Sequence, residues 1–111
     1  MTRAEFEELV RTALEALPQK FKDKLENVDV VIDEETRGPF LGLYQGIPLK
    51  NRTAGYNMVM PDKITLFKRN IEEVCRFRIR DIQKEVKHVI VHEIAHHFGM
   101  SDEHLRDLGV Y

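Results

Sequence analysis

Apolar residues recur at helical spacing near both ends of the chain, and between them lie shorter runs rich in β-branched side chains. Phe6, Leu9, Val10, Ala13, Leu14 and Leu17 fall on one face of a helix, and Thr2 and Glu5 have the spacing of a capping box, so Thr2 to Leu17 predict a helix that Pro18 ends. Phe21 and Leu25 suit a further helical turn. VDVVID at 28 to 33 is a β-branched run and the first predicted strand. FLGLYQG at 40 to 46 and KITLF at 63 to 67 are the other strand candidates, the second launched by the turn pair Pro61-Asp62. The segment IPLKNRTAGYNMVM between them carries no clear period and reads as a loop with at most one short strand.

From Asn70 onward the period is helical again. Ile71, Val74, Cys75 and Arg78 lead to an expected break near Arg80, where Asp81 can cap a new start. Ile82, Val86, Val89, Ile90, Ile94 and Phe98 continue the stripe to Gly99, which can take the left-handed conformation that stops a helix. Ser101 can cap one last turn through Leu105 and Leu108. The expected class is α+β, with a short mixed β-sheet, an N-terminal helix and a C-terminal helix that carries the chemistry.

A length of 111 residues suits one domain spanning 1–111, and 42% hydrophobic with 32% charged residues excludes a disordered chain. No run approaches the roughly 18 apolar residues of a spanning helix, and the opening MTRAEFEELVRTALEAL alternates acids with apolar residues, unlike a signal peptide. The expected location is cytoplasmic, with no membrane partner. Cys75 is the sole cysteine and is expected to be buried and inert. The net charge of −2 gives no general pull toward nucleic acid. Lys63, Lys68, Arg69, Arg76, Arg78, Arg80, Lys84 and Lys87 do cluster, but Glu72, Glu73, Asp81 and Glu85 interleave with them as a solvated helical face would.

The densest chemistry lies in HEIAHHFGMSDEH, residues 92 to 104. On a helix, His92 and His96 project from one face a turn apart and can grip one zinc ion. Glu93 leaves the helix about 100° around from His92, where it flanks the ion and suits a general base acting on water. Gly99 permits the sharp bend that lets Asp102 swing back with a carboxylate oxygen, and a fourth corner stays open. HExxH alone is a weak signal; HExxHxxGxxD adds two independent requirements. His104 competes with Asp102 as third ligand or could support the site, and Glu103 ranks below both. His88 shares the face of His92 and could line the cleft, while His97 points elsewhere and reads as a surface residue.

On these residues the chain resembles the zincin metallopeptidases, and within them the Asp-zincins, whose motif supplies a His, His, Asp zinc site. Its length, the segments GLYQGIPL and PDKITLFKRNIEE, and the motif near the C-terminus are similar to the small mini-zincins of bacteria. The resemblance implies a minimal zincin-like domain with zinc ligands His92, His96 and Asp102 and catalytic Glu93. It departs from the larger metzincins, whose methionine turn follows the third ligand; Met100 precedes Asp102, so the floor of the site is expected from the N-terminal helix or the strands.

The implied activity is peptide hydrolysis, with Zn2+ polarising the scissile carbonyl, Glu93 activating water, and a peptide or protein as substrate. Extended peptides reach such sites by pairing with a sheet edge, and KITLF is the expected edge. Tyr44, Tyr56 and Tyr111 could each serve the oxyanion, and the sequence selects none of them. Two alternatives stand. One is a metal-dependent endoribonuclease, by likeness to a ribosomal-RNA-maturation family with HxxxHxxGxDH, which lacks the glutamate and takes histidine as third ligand. The other is a non-catalytic zinc-binding domain on the same scaffold. Two imidazoles and a carboxylate also accept other divalent ions.

Overall fold

The structure is a computed structural model that describes residues 1–35, 38–46, 62–107 and 109, with the main chain but not the side chain of Asp102. Helix α1 (Arg3–Glu15) starts at the expected cap: the Thr2 hydroxyl accepts from the Glu5 amide at 3.1 Å, and the Glu5 carboxylate accepts from the Thr2 amide at 3.0 Å. Phe6 and Val10 on its inner face are buried. Pro18 has a second role, since its fixed φ leads into α2 (Gln19–Lys24), whose Phe21 is fully buried. The strands β1 (Val28–Asp33), β2 (Gly42–Gln45) and β3 (Asp62–Phe67) follow, then α3 (Lys68–Val74), α4 (Ile79–Phe98) and α5 (Asp102–Asp107).

The strands form one mixed sheet in the order β1-β3-β2, as an α+β domain with a short mixed sheet requires. β1 runs parallel to β3 from the pair Val28↔Asp62 to Asp33↔Phe67. β2 runs antiparallel to β3 from Gly42↔Leu66 to Gln45↔Lys63. KITLF is therefore the central strand and not the edge that its sequence was expected to supply. The reason lies in its burial: Ile64, Thr65, Leu66 and Phe67 are buried in succession without alternation, the mark of a strand covered on both faces and paired on both sides. Among the described residues both β2 and β3 lie against α4. The 47–60 segment lies outside the described residues.

The break between α3 and α4 comes earlier than the sequence suggested, at Cys75–Arg78 rather than near Arg80. Arg76 and Phe77 take left-handed φ of 53° and 59°, and the Phe77 amide closes the end of α3 by donating to the Glu72 carbonyl at 2.8 Å. α4 then starts at Ile79 with no side-chain cap, and Asp81 stands in its first turn, 4.0 Å from Arg78.

The core gathers Phe6 and Val10 of α1, Phe21 of α2, Ile64 and Leu66 of β3, Ile71 of α3 and the inner face of α4. Cys75 joins it, and burial pushes its thiol pKa up. Arg69 and Glu73 pair at 3.7 Å on an exposed face as expected, whereas Lys68 and Glu72, expected on the same solvated face, are buried against each other at 2.8 Å. Asn70 donates to the carbonyls of Gly38 and Phe40, at 3.1 and 2.7 Å, and so pins the segment that leads into β2. No helix among the described residues is long and apolar enough to cross a membrane.

Candidate metal centre

α4 is the longest helix described, and its two faces differ in chemistry. Ile82, Val86, Ile90 and Ile94 hold it to the core, which turns His88, His92 and His96 outward, all exposed. The His92 and His96 rings lie 6.2 Å apart between centroids with planes within 11° of parallel. Two rings bound to one zinc through nitrogens at ~2.1 Å sit roughly 5 Å apart, a little closer than this pair. Their outward setting and separation fit the group that the sequence anticipates.

Glu93 is turned away from this pair. It is half-buried, and its carboxylate oxygen Oε2 accepts from the main-chain amide of Tyr44 in β2 at 3.2 Å. β2 lies close to α4 because residue 42 is glycine: a Cβ there would meet Val89 Cγ1 at 2.5 Å, the Thr65 carbonyl oxygen at 3.3 Å and Glu93 Cγ at 3.5 Å. Beside this contact opens a cleft of about 320 Å³ between the 39–42 segment and α4, with His88, His92 and Glu93 on its wall. His88 lines it as expected and is exposed, with Nδ1 3.6 Å from Glu85.

The chain leaves α4 as the sequence indicated. Gly99 is left-handed at φ 66°, the Met100 amide donates to the Ala95 carbonyl at 2.8 Å, and the Ser101 hydroxyl accepts from the His104 amide at 3.1 Å to start α5. Leu105 anchors α5 in the core. Asp102, the third expected ligand, is the first residue of α5, and its side chain lies outside the described residues. Among the described residues no three His, Cys, Asp or Glu side chains gather as a metal set. Glu103 is exposed, and His104 opens onto a separate cleft beside Lys20, Lys24 and Phe98.

Two further features were not anticipated. His97 is exposed, yet its ring stacks on Tyr44 at 3.9 Å, which fastens β2 to the end of α4. The Tyr44 hydroxyl donates to Asp62 at 2.9 Å, while Tyr56 and Tyr111, the other oxyanion candidates, lie outside the described residues. The signal for the β2 contact was an isolated glycine inside a strand pattern, which marks a close backbone approach.

α4 thus carries an exposed pair of imidazoles one turn apart, with the carboxylate beside the first of them held on the β2 main chain. A family model for zincin-like metallopeptidases matches residues 15–110, and the chain belongs to that family. The match runs from the end of α1 through the sheet to the turn beyond α5. No curated protein matches the chain.

Proposed function

We propose that this protein hydrolyses peptide bonds, with zinc held by His92, His96 and Asp102 and with Glu93 as general base. The observation that carries the reading is the setting of two adjacent positions on α4: His92 is exposed beside His96, Glu93 is half-buried on the Tyr44 amide, and both line one cleft. Zinc, when bound, supplies Lewis acidity toward a carbonyl and toward water. Glu93 keeps one carboxylate oxygen on the Tyr44 amide and has the other to take a proton from the attacking water and pass it to the leaving amine. The cleft gives a peptide an apolar wall at Phe40 and Leu41 next to these groups.

Peptide is favoured over RNA because the basic cluster is interleaved with acids, with Lys68, Arg69 and Arg78 each within 4.0 Å of a carboxylate. A cytoplasmic setting and a peptide or protein partner belong to the same proposal.

Glu93→Gln tests it. The variant should bind zinc as the wild type does and lose hydrolysis by a factor of about 10² or more. Unchanged turnover would remove Glu93 from the mechanism. Metal analysis of Asp102→Ala, alongside, should show the stoichiometry fall from near one per chain.

A further inference from the structure

We infer that Gly42 is a positioning residue for Glu93: the missing side chain lets β2 approach α4 closely enough for the Tyr44 main-chain amide to hold the base in place. The inference extends the peptidase reading and rests on it for its catalytic consequence alone.

The hydrogen-bond pattern of the sheet makes the Tyr44 amide available for this. In an antiparallel pair, alternate residues turn their amides and carbonyls toward the partner strand. The Leu41 carbonyl accepts from the Phe67 amide at 3.0 Å, so Leu41, Leu43 and Gln45 face β3 while Gly42 and Tyr44 face away from it. The Tyr44 amide is thus directed outward from the ladder, and Glu93 takes it at 3.2 Å. A carboxylate one residue from a proposed zinc ligand can otherwise rotate toward the ion and become a ligand itself. The amide restrains one oxygen and leaves the second for proton transfer.

The approach depends on position 42 more than on any side chain of β2. With Val89 Cγ1 at 2.5 Å from a Cβ and the stiff β-branched Val89 itself buried, an added methyl must push strand and helix apart. Glu93 Cγ lies against the same point, so the displacement falls on the base. Displacement of a catalytic group by about 1 Å is enough to lower turnover up to roughly 10²-fold.

The test separates the tether from the reaction. In the full chain without zinc, hydrogen exchange at the Tyr44 amide should be slow in the wild type and roughly fivefold faster in Glu93→Ala, with Leu43 unchanged. Gly42→Ala should speed Tyr44 exchange likewise and lower kcat about tenfold or more with little change in KM. Adding Val89→Ala to Gly42→Ala removes the clashing methyl and should restore both the slow exchange and kcat, although not the melting temperature. That rescue sets positioning apart from general destabilisation. Equal Tyr44 exchange in wild type and Glu93→Ala would overturn the inference whatever the peptidase assay gives, as would wild-type kcat in Gly42→Ala. An exchange difference with no peptide cut by the wild type would support the tether and overturn the peptidase reading instead.

Discussion

α4 carries two rows of side chains at four-residue intervals. The inner row is Ile82, Val86, Ile90 and Ile94, each at most 1% exposed; the outer row is His88, His92 and His96, all exposed. The same helical geometry serves both, since residues four apart stack along one face. On the inner row that geometry makes a continuous apolar ridge which the sheet and α1 cover. On the outer row it sets the rings of successive turns side by side, 6.1 and 6.2 Å apart between centroids. The inner row fixes the rotation of the helix about its axis, and the outer row depends on that rotation for its aim. Packing and candidate chemistry are therefore coupled through one rigid element.

The coupling is broken most severely from the inside. Ile90→Ala removes a fully buried side chain at the middle of the row and should cost about 2–5 kcal/mol in a denaturant titration. If the variant lost less than about 1 kcal/mol, the inner row would not be what holds α4 in place. The outer row should behave in the opposite way. His96→Ala removes an exposed ring and should leave the zinc-free stability nearly unchanged. Its effect belongs to the metal: zinc at 100 times its dissociation constant stabilises a binding fold by about 2.7 kcal/mol, and that gain should vanish in the variant. Calorimetry with and without zinc, on both proteins, checks it.

The difference between the rows also explains what was legible in the sequence. Periodic apolar positions and strong local signals translated directly: Thr2 with Glu5 as the cap of α1, the β-branched VDVVID as β1, Gly99 as the end of α4 and Ser101 as the cap of α5. The end of α3 did not, because Arg76 and Phe77 adopt left-handed angles that cost roughly 1–2 kcal/mol per residue and that non-glycine residues give no warning of. The position of KITLF failed for a different reason. Strand order is a property of long-range pairing, and a five-residue strand segment does not state which neighbours it will have. Of the candidate site, the facing of His92 and His96 followed from spacing four, whereas the Tyr44 amide that holds Glu93 could not, since main-chain donors leave no mark on the sequence.

The smallest effect sharpens the outer row itself. His88 and His92 are as close, at 6.1 Å, as His92 and His96 at 6.2 Å, so distance does not say which pair shares an ion. Orientation and neighbours do. The His88 and His92 rings are tilted by 57°, against 11° for His92 and His96, and His88 is drawn toward Glu85 one turn before. Asp102, the third expected ligand, follows His96 by six positions across the Gly99 turn and His88 by fourteen, so sequence spacing pairs it with His96. His88→Ala should therefore keep its metal and shift stability by no more than about 0.5 kcal/mol, while the cleft it lines makes KM the parameter to watch. Loss of metal from His88→Ala with retention in His96→Ala would reverse the row: the ion would sit a turn earlier, out of reach of the residue that follows Gly99 by three positions, and the extended motif would no longer describe the site.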